Sequence, residues 1–181
     1  MGKIYVTSDW HFGHDKDFIF GPRGFSNPYE MNDAIVKNHN EIVNEDDDVY
    51  VLGDCMLNDN EAGIELIKSL KGKIHVILGN HDTNARAALY RNCDNIVEVC
   101  YATVLRYRAY MFYLSHYPTM CGNHDADKPM ERKVINLCGH THTTDRFADW
   151  DNGLIYHVEV DAHECKPVLL DDIITELKEK K

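Results

Sequence analysis

The stretch that decides the fold lies near the start of the chain, where residues 4–14 read Ile-Tyr-Val-Thr-Ser-Asp-Trp-His-Phe-Gly-His. Residues 4–7 are a short β-branched and apolar run, which predicts a strand buried on both faces. Polar residues follow at once, and Asp9 and His11 are two positions apart, so an extended segment points both side chains the same way. Polar side chains at the carboxyl end of such a strand are typical of α/β functional sites.

The same plan occurs twice more along the chain. A predicted strand over 49–52 ends in Gly53-Asp54, and another over 74–78 ends in Gly79-Asn80-His81-Asp82. Helical patterns cover 31–43 and 61–70, between the strands. Strands that alternate with helices predict βαβ units and a parallel sheet.

The second half of the chain has a different pattern. Segments 96–100, 103–107 and 110–114 predict strands with short connections, in a meander or in hairpins. Segments 134–138 and 154–160 predict two more strands, and 171–178 predicts a closing helix. No linker, repeat or low-complexity tract is evident, so we expect one α/β domain over residues 1–181, with two packed sheets and helices outside.

Composition limits the partners of the protein. The formal net charge of −11 opposes non-specific binding to nucleic acids or anionic membranes, which need clustered Lys and Arg. We therefore expect no long duplex nucleic acid and no membrane as a partner. The sequence shows no signal-peptide pattern, and its six cysteines are scattered without a CxxC pair, which predicts reduced thiols and a cytoplasmic protein. It predicts no oligomeric state.

Histidines also follow the later predicted strands. His116 follows the strand over 110–114, and His140 and His142 are two positions apart after the strand over 134–138. Each fragment alone has a structural explanation, such as a turn aspartate or a half-buried histidine. The whole series is hard to explain by packing, because burying imidazoles and carboxylates is costly unless they are paired or ligate a metal. The series predicts a metal site.

The order of these motifs resembles the calcineurin-like metallophosphoesterase family. The motifs run from residue 9 to residue 142, and the only departure is Cys55-Met56 after Gly53-Asp54, where another polar residue is common. The opening Ser-Asp-x-His-Phe-Gly-His resembles a small bacterial and phage subgroup of phosphoesterases. The resemblance implies an α/β fold of four layers, an α/β/β/α sandwich of two mixed sheets flanked by helices.

The resemblance also implies two triads of metal ligands that share one carboxylate. The first triad is Asp9, His11 and His142, the second is Asn80, His116 and His140, and the shared residue is Asp54. His81 would stand beside the two metals as the general acid, and Asp82 would orient it.

Two divalent cations about 3.5–4 Å apart can clamp a phosphoryl group and activate a bridging hydroxide that attacks phosphorus. Imidazole, carboxylate and amide ligands are compatible with manganese, iron or zinc. We expect hydrolysis of a small phosphate ester, either a monoester or a diester. The alternatives are a nuclease acting on short nucleic acids and a non-catalytic metal-binding scaffold.

Two further residues are candidates for substrate contact. His14 could reach a substrate phosphate, or could be a loop histidine bonded to backbone. Arg23 could grip a non-bridging phosphate oxygen, or could be solvated at the surface. His124, in a second Asn-His-Asp, lacks a preceding strand and is predicted to lie in a loop.

Overall fold

The computed structural model describes residues 2–119, 134–148 and 154–180; the predicted loop at His124 lies outside them. Within these ranges the elements, in chain order, are β1 Ile4–Thr7, α1 Asp17–Phe20, α2 Pro28–Ile42, β2 Asp48–Val51, α3 Asn60–Lys68, β3 Lys73–Ile77, α4 Asn84–Tyr90, β4 Ile96–Cys100, β5 Ala102–Tyr107, β6 Tyr110–Ser115, β7 Val134–Cys138, β8 Ile155–His157, a 3₁₀ turn Val160–Ala162, β9 Val168–Leu169 and α5 Leu170–Glu179.

The first sheet has the strand order β4-β3-β2-β1-β9. Strands β1 to β4 run parallel, and β9 is antiparallel to β1. The last residues of β1 and β2 are paired, Thr7 with Val51, and Val51 in turn pairs with Val76 of β3. The polar segments that follow these three strands therefore start side by side at one edge of the sheet.

The second sheet has the strand order β5-β6-β7-β8. Strands β5 and β6 form an antiparallel hairpin, whereas β7 runs parallel to both β6 and β8. The segments after β6 and β7, which carry His116 and His140, consequently leave the second sheet at the same end.

Two apolar clusters hold the layers together. On one face of the first sheet, buried side chains of α2 and α3, such as Ile35 and Ile67, pack against strand residues such as Val49. On the other face, Val6 packs with residues of the second sheet such as Phe112, and α5 adds the side chains of Ile173, Ile174 and Leu177. The predicted class, an α/β fold of two mixed sheets flanked by helices, is confirmed.

The predicted meander is wrong in its first strand. β4 lies beside β3 in the first sheet, and only β5 and β6 form a hairpin. One residue, Tyr101, separates β4 from β5, so the chain passes from one sheet to the other there. A short connection between strands indicates proximity, but it does not decide which sheet each strand joins.

The predicted strand over 154–160 is too long. It is limited to β8, after which Glu159 makes an isolated bridge to Ser8 and the chain turns into the 3₁₀ segment. The short elements α1, α4 and β9 were not predicted. Helix α4 begins at a local signal, because the Thr83 side chain accepts a hydrogen bond from the backbone N–H of Arg86.

None of the helices in residues 2–119, 134–148 and 154–180 has the length and hydrophobicity that a membrane-spanning helix needs. In the same ranges Cys55, Cys93, Cys100 and Cys165 are free thiols, as predicted. The single domain over residues 1–181 and the cytoplasmic location stay predictions.

We expect Ile173→Ala to lower the free energy of unfolding by about 2–5 kcal/mol, because it leaves a cavity between the sheets and α5. Ile173 is fully buried, whereas Val97 on β4 is 54% exposed and supplies the control Val97→Ala. Urea unfolding followed by circular dichroism measures both variants. Equal losses of stability in the two variants would contradict the assignment of Ile173 to the core.

Candidate metal centre

The polar segments at the sheet edges have an unusual backbone. Five non-glycine residues of the predicted ligand set have positive φ, namely Asp9 (58°), His11 (51°), Asp54 (54°), His140 (76°) and His142 (51°). Non-glycine residues rarely adopt this left-handed conformation, and each instance stores on the order of 1–3 kcal/mol of strain. Such residues cluster at functional sites, where the surrounding structure imposes the conformation.

The first predicted triad converges on one point. The Nε2 atoms of His11 and His142 are 3.1 Å apart. Asp9 Oδ1 lies 3.8 Å from His11 Nε2 and 3.7 Å from His142 Nε2. Asp9 is fully buried, and its Oδ1 has no hydrogen-bond partner among the residues that the structure describes. Three donor atoms, one of them an unpartnered buried carboxylate oxygen, form a site that suits a cation.

The second predicted triad is tighter. Asn80 Oδ1 lies 2.8 Å from His116 Nε2 and 2.9 Å from His140 Nδ1, and these two nitrogens are 3.1 Å apart. Donor atoms that each lie about 2.1 Å from one cation are about 3.0–3.5 Å from one another. The spacing of this triad is close to that of a ligand set.

Asp54 lies between the two triads. Its Oδ2 is 3.6 Å from His11 Nε2 and 3.6 Å from His116 Nε2. Its Oδ1 accepts a hydrogen bond from the backbone N–H of His81 at 2.9 Å, which holds the carboxylate in this orientation. The structure thus brings all seven predicted ligand side chains together, with the predicted bridging residue at their centre.

Hydrogen bonds to the outer ring nitrogens orient two of the histidines. His116 Nδ1 lies 2.8 Å from the carbonyl oxygen of Leu52 and must donate its proton there. His142 Nδ1 lies 3.1 Å from Asp161 Oδ2. In both rings Nε2 therefore faces the triads, and deprotonated Nε2 is a metal ligand.

Burial controls the charges of the first triad. It raises the pKa of Asp9 to about 7, although nearby His142 and His116 oppose the change. It lowers the pKa of His11 to about 2, and the charge of His142 acts in the same direction. The His11 ring is consequently neutral, with a lone pair available. The buried Asp9 carboxylate and the neutral His11 ring are therefore ligand groups whose charge balance a bound cation would complete.

A cavity of about 580 Å³ opens onto the two triads. His81, whose side chain is 41% exposed, lines it, with Nε2 3.9 Å from Asp54 Oδ2. Lys16, Phe18 and Leu57 form part of its wall. His81 is placed beside the ligand atoms and within reach of solvent, as a proton donor requires.

Asp82 does not have the predicted role. Its carboxylate accepts hydrogen bonds from the backbone N–H groups of Asp54 (2.8 Å), Cys55 (3.3 Å) and Gly79 (2.9 Å), and from the hydroxyl of Tyr90 (2.7 Å). Within the described residues no hydrogen bond joins it to the His81 ring. Asp82 instead ties the loop after β2 to the loop after β3, and the prediction that it orients His81 is wrong.

Arg23 is not solvated at the surface, because its side chain is 1% exposed. The guanidinium donates to both oxygens of Asp161 and to the carbonyl oxygen of Asp9. With these donors occupied, Arg23 is not available to grip a substrate phosphate, so both sequence interpretations are corrected.

His14 is buried and lines the cavity. Its Nδ1 lies 3.3 Å from His11 Nδ1, so its partner is a ligand ring and not the backbone. Burial lowers the pKa of His14, and the charge of His81 adds to the effect. Substrate contact by His14 stays a prediction.

Two acidic residues for which the sequence predicted no role support the loop that carries His140 and His142. Glu159, fully buried, accepts a hydrogen bond from the hydroxyl of Thr141 at 2.8 Å, and Asp161 contacts His142. Both residues follow the last strand of the second sheet, so the rule that found the other polar segments could have found them.

A comparison with protein families matches residues 3–158 to the calcineurin-like phosphoesterase superfamily domain. An uncharacterised protein of Methanocaldococcus jannaschii is 34% identical over 186 residues, covering 99% of this chain and 93% of the relative. The gene 66 protein of Mycobacterium phage D29 is 27% identical over 93% of both chains. A protein of unknown function from Aquifex aeolicus has a solved structure with a TM-score of 0.73, at 20% identity, covering 97% of this chain and 100% of its own. That last likeness shows the fold.

We expect Asp82→Asn to lower the free energy of unfolding by about 1–3 kcal/mol, because an amide NH₂ would face the backbone N–H donors that the carboxylate now satisfies. Tyr90→Phe removes one of the same hydrogen bonds and is the milder control. Urea unfolding measures both. Unchanged stability in Asp82→Asn, with reduced turnover, would instead restore the role of orienting His81.

Proposed function

The chain belongs to the calcineurin-like phosphoesterase superfamily, and from that premise we propose that it is a metal-dependent hydrolase of small phosphate esters. The observation that carries the proposal is the convergence of both triads on Asp54 Oδ2, at a cavity large enough for a small ester. The family acts through dinuclear metal centres, and the residues present here fit one.

We assign Asp9, His11 and His142 to one cation, Asn80, His116 and His140 to the other, and Asp54 to both. When bound, two such cations polarise the phosphoryl group and the attacking water. Manganese, iron and zinc all suit this donor set. The Asp54 carboxylate suits the shared position because it has two oxygens and its negative charge offsets repulsion between cations.

His81 is proposed as the general acid. Its ring lies against His11, with ring centroids 5.4 Å apart, and is the more exposed of the two. A half-exposed imidazole that exchanges protons with solvent can protonate the leaving oxygen in each turnover. The hydrogen bond from its backbone N–H to Asp54 keeps the acid in a constant position relative to the ligand set.

The proposed substrate is small because the cavity is about 580 Å³ and the protein carries a net charge of −11. A long anionic polymer would meet repulsion over most of the surface. Lys16 places a positive charge in the cavity wall and Phe18 an apolar ring, which suit an anionic ester with an organic substituent. The proposal leaves both monoesters and diesters as substrates.

We expect the protein loaded with Mn²⁺ to hydrolyse p-nitrophenyl phosphate or bis(p-nitrophenyl) phosphate, and Asp54→Asn to lose both metal and activity. The asparagine variant removes the negative charge shared by the two cations. Release of p-nitrophenol measures activity, and elemental analysis measures metal content. Inactivity of the wild-type protein with Mn²⁺, Fe²⁺ and Zn²⁺, on these esters and on a panel of nucleotides and short oligonucleotides, would contradict the hydrolase. Full metal content in Asp54→Asn would contradict the bridging role.

We expect His81→Ala to reduce turnover by roughly 10²–10⁴-fold without loss of metal. The reduction should be larger for an alkyl or phenyl ester than for the p-nitrophenyl ester, because a poor leaving group depends more on protonation. Steady-state rates on both esters, together with elemental analysis, test this. His75→Ala is the control, since that ring lies between Asp48 and Glu98, outside the cavity. Metal loss, or equal reductions on both esters, would contradict the general-acid role.

A further inference from the structure

A chain of polar side chains runs from the buried Arg23 through Asp161 to the partly exposed ligand ring of His142. We propose that Asp161, anchored by Arg23, is a positioning residue that fixes the orientation and tautomer of His142 for metal binding. This inference rests on the proposed metal-dependent function. It concerns how the His142 ligand is oriented, and it adds Arg23 and Asp161 to the residues that shape the metal site.

The contacts are short and directional. Asp161 Oδ2 lies 3.1 Å from His142 Nδ1. Arg23 donates from Nε to Asp161 Oδ1 at 2.9 Å and from Nη2 to Asp161 Oδ2 at 2.8 Å. This two-bonded arrangement fixes the plane of the carboxylate as well as its position.

Hydrogen-bond geometry decides which nitrogen of His142 faces the metal position. Arg23 Nη2 also lies 3.2 Å from His142 Nδ1, but its two N–H groups donate to Asp161 Oδ2 and to the carbonyl oxygen of Asp9. The hydrogen-bond partner of His142 Nδ1 is therefore the Asp161 carboxylate, which accepts the proton that Nδ1 donates. Nε2, the nitrogen that faces Asp9 and His11, is then free to ligate.

Arg23 also connects Asp161 to the opposite side of the first triad. Its Nη2 donates to the carbonyl oxygen of Asp9 at 2.9 Å, and its Nη1 is 3.4 Å from the carbonyl oxygen of Trp10. The same guanidinium thus holds the Asp9 loop and, through Asp161, the His142 ring. It sets the distance between two ligands that come from different sheets.

Among the described residues, Arg23 and Asp161 make no hydrogen bond to Asn80, His116 or His140 of the second triad; that triad meets the first through the backbone N–H of His140, which donates to Asp9 Oδ2 at 3.0 Å. In the second triad, His116 is oriented by the carbonyl oxygen of Leu52, the residue directly after β2, and not by a carboxylate. Disturbing Asp161 should therefore weaken one metal position and spare the other. A purely structural ion pair would give no such selectivity.

Asp161→Asn is the informative variant, because it keeps the volume of the side chain. When the single amide oxygen accepts the hydrogen bond from His142, the amide NH₂ faces the N–H groups of Arg23. Two donors then meet, and one of the two hydrogen bonds is lost. Arg23→Lys is a second variant, which keeps the charge but loses the two-bonded anchor. The matched control is Glu176→Gln, which breaks the Arg146–Glu176 pair (2.6 Å) away from the ligand set.

The test is calorimetric titration of chelator-treated full-length protein with Mn²⁺. We expect two sites in the wild-type protein and in Glu176→Gln. In Asp161→Asn one site should keep its affinity and the other should weaken by about 10–100-fold, as loss of an outer partner of a ligand histidine typically does. Arg23→Lys should weaken the same site by less. Visible spectra of Co²⁺-loaded protein should change for that site alone.

Unchanged affinities at both sites in Asp161→Asn would overturn the positioning role, and so would equal weakening of both. A similar selective loss in Glu176→Gln would overturn it as well, since general destabilisation would then explain the effect. If Asp161→Asn does not fold, Arg23→Lys is the test. Weaker binding at one site alone supports the positioning role, and unchanged binding at both sites overturns it. A wild-type protein that binds no Mn²⁺ would contradict the metal centre itself, which is a different result.

Discussion

The site depends on one buried carboxylate, that of Asp54, placed between imidazole rings from both sheets. It is 2% exposed, and one of its oxygens lies 3.6 Å from the His11 ring and from the His116 ring. A carboxylate in that position carries a charge that burial makes costly unless cations compensate it. The histidines, the asparagine and the second aspartate around Asp54 are the side chains that would hold those cations.

The backbone is shaped to allow this convergence. Ligand residues in left-handed conformations turn the chain abruptly at the ends of the strands, and neighbouring glycines leave room for them. A Cβ atom on Gly79 would overlap the Asp54 carboxylate, and one on Gly139 would overlap Asp9 Oδ2 and Ser8 Oγ. Strain and close approach are both sustained by hydrogen bonds from outside the ligand set.

Two aspartates are prominent in that support, and neither is assigned to a metal. Asp82 accepts hydrogen bonds from backbone N–H groups of the loops after β2 and β3. Asp161 contacts the ligand ring of His142 and accepts hydrogen bonds from Arg23. An aspartate near a metal site is therefore not automatically a ligand or a partner of the catalytic acid. Its role depends on which hydrogen-bond donors contact its carboxylate.

The sequence by itself determined the three strands β1, β2 and β3 that lead to the site, their parallel direction, the α/β class and the residues that meet at the edge of the first sheet. These follow from local patterns, because a short apolar run and the polar residues directly after it are contiguous in the chain. Only the tertiary structure decided that β4 joins the first sheet, that Asp82 binds backbone and that Arg23 is buried. Arg23 and its partner Asp161 are 138 positions apart, and no local periodicity records which distant side chains will share a buried space. Those contacts depend on how the two sheets pack, which is a property of the whole folded chain.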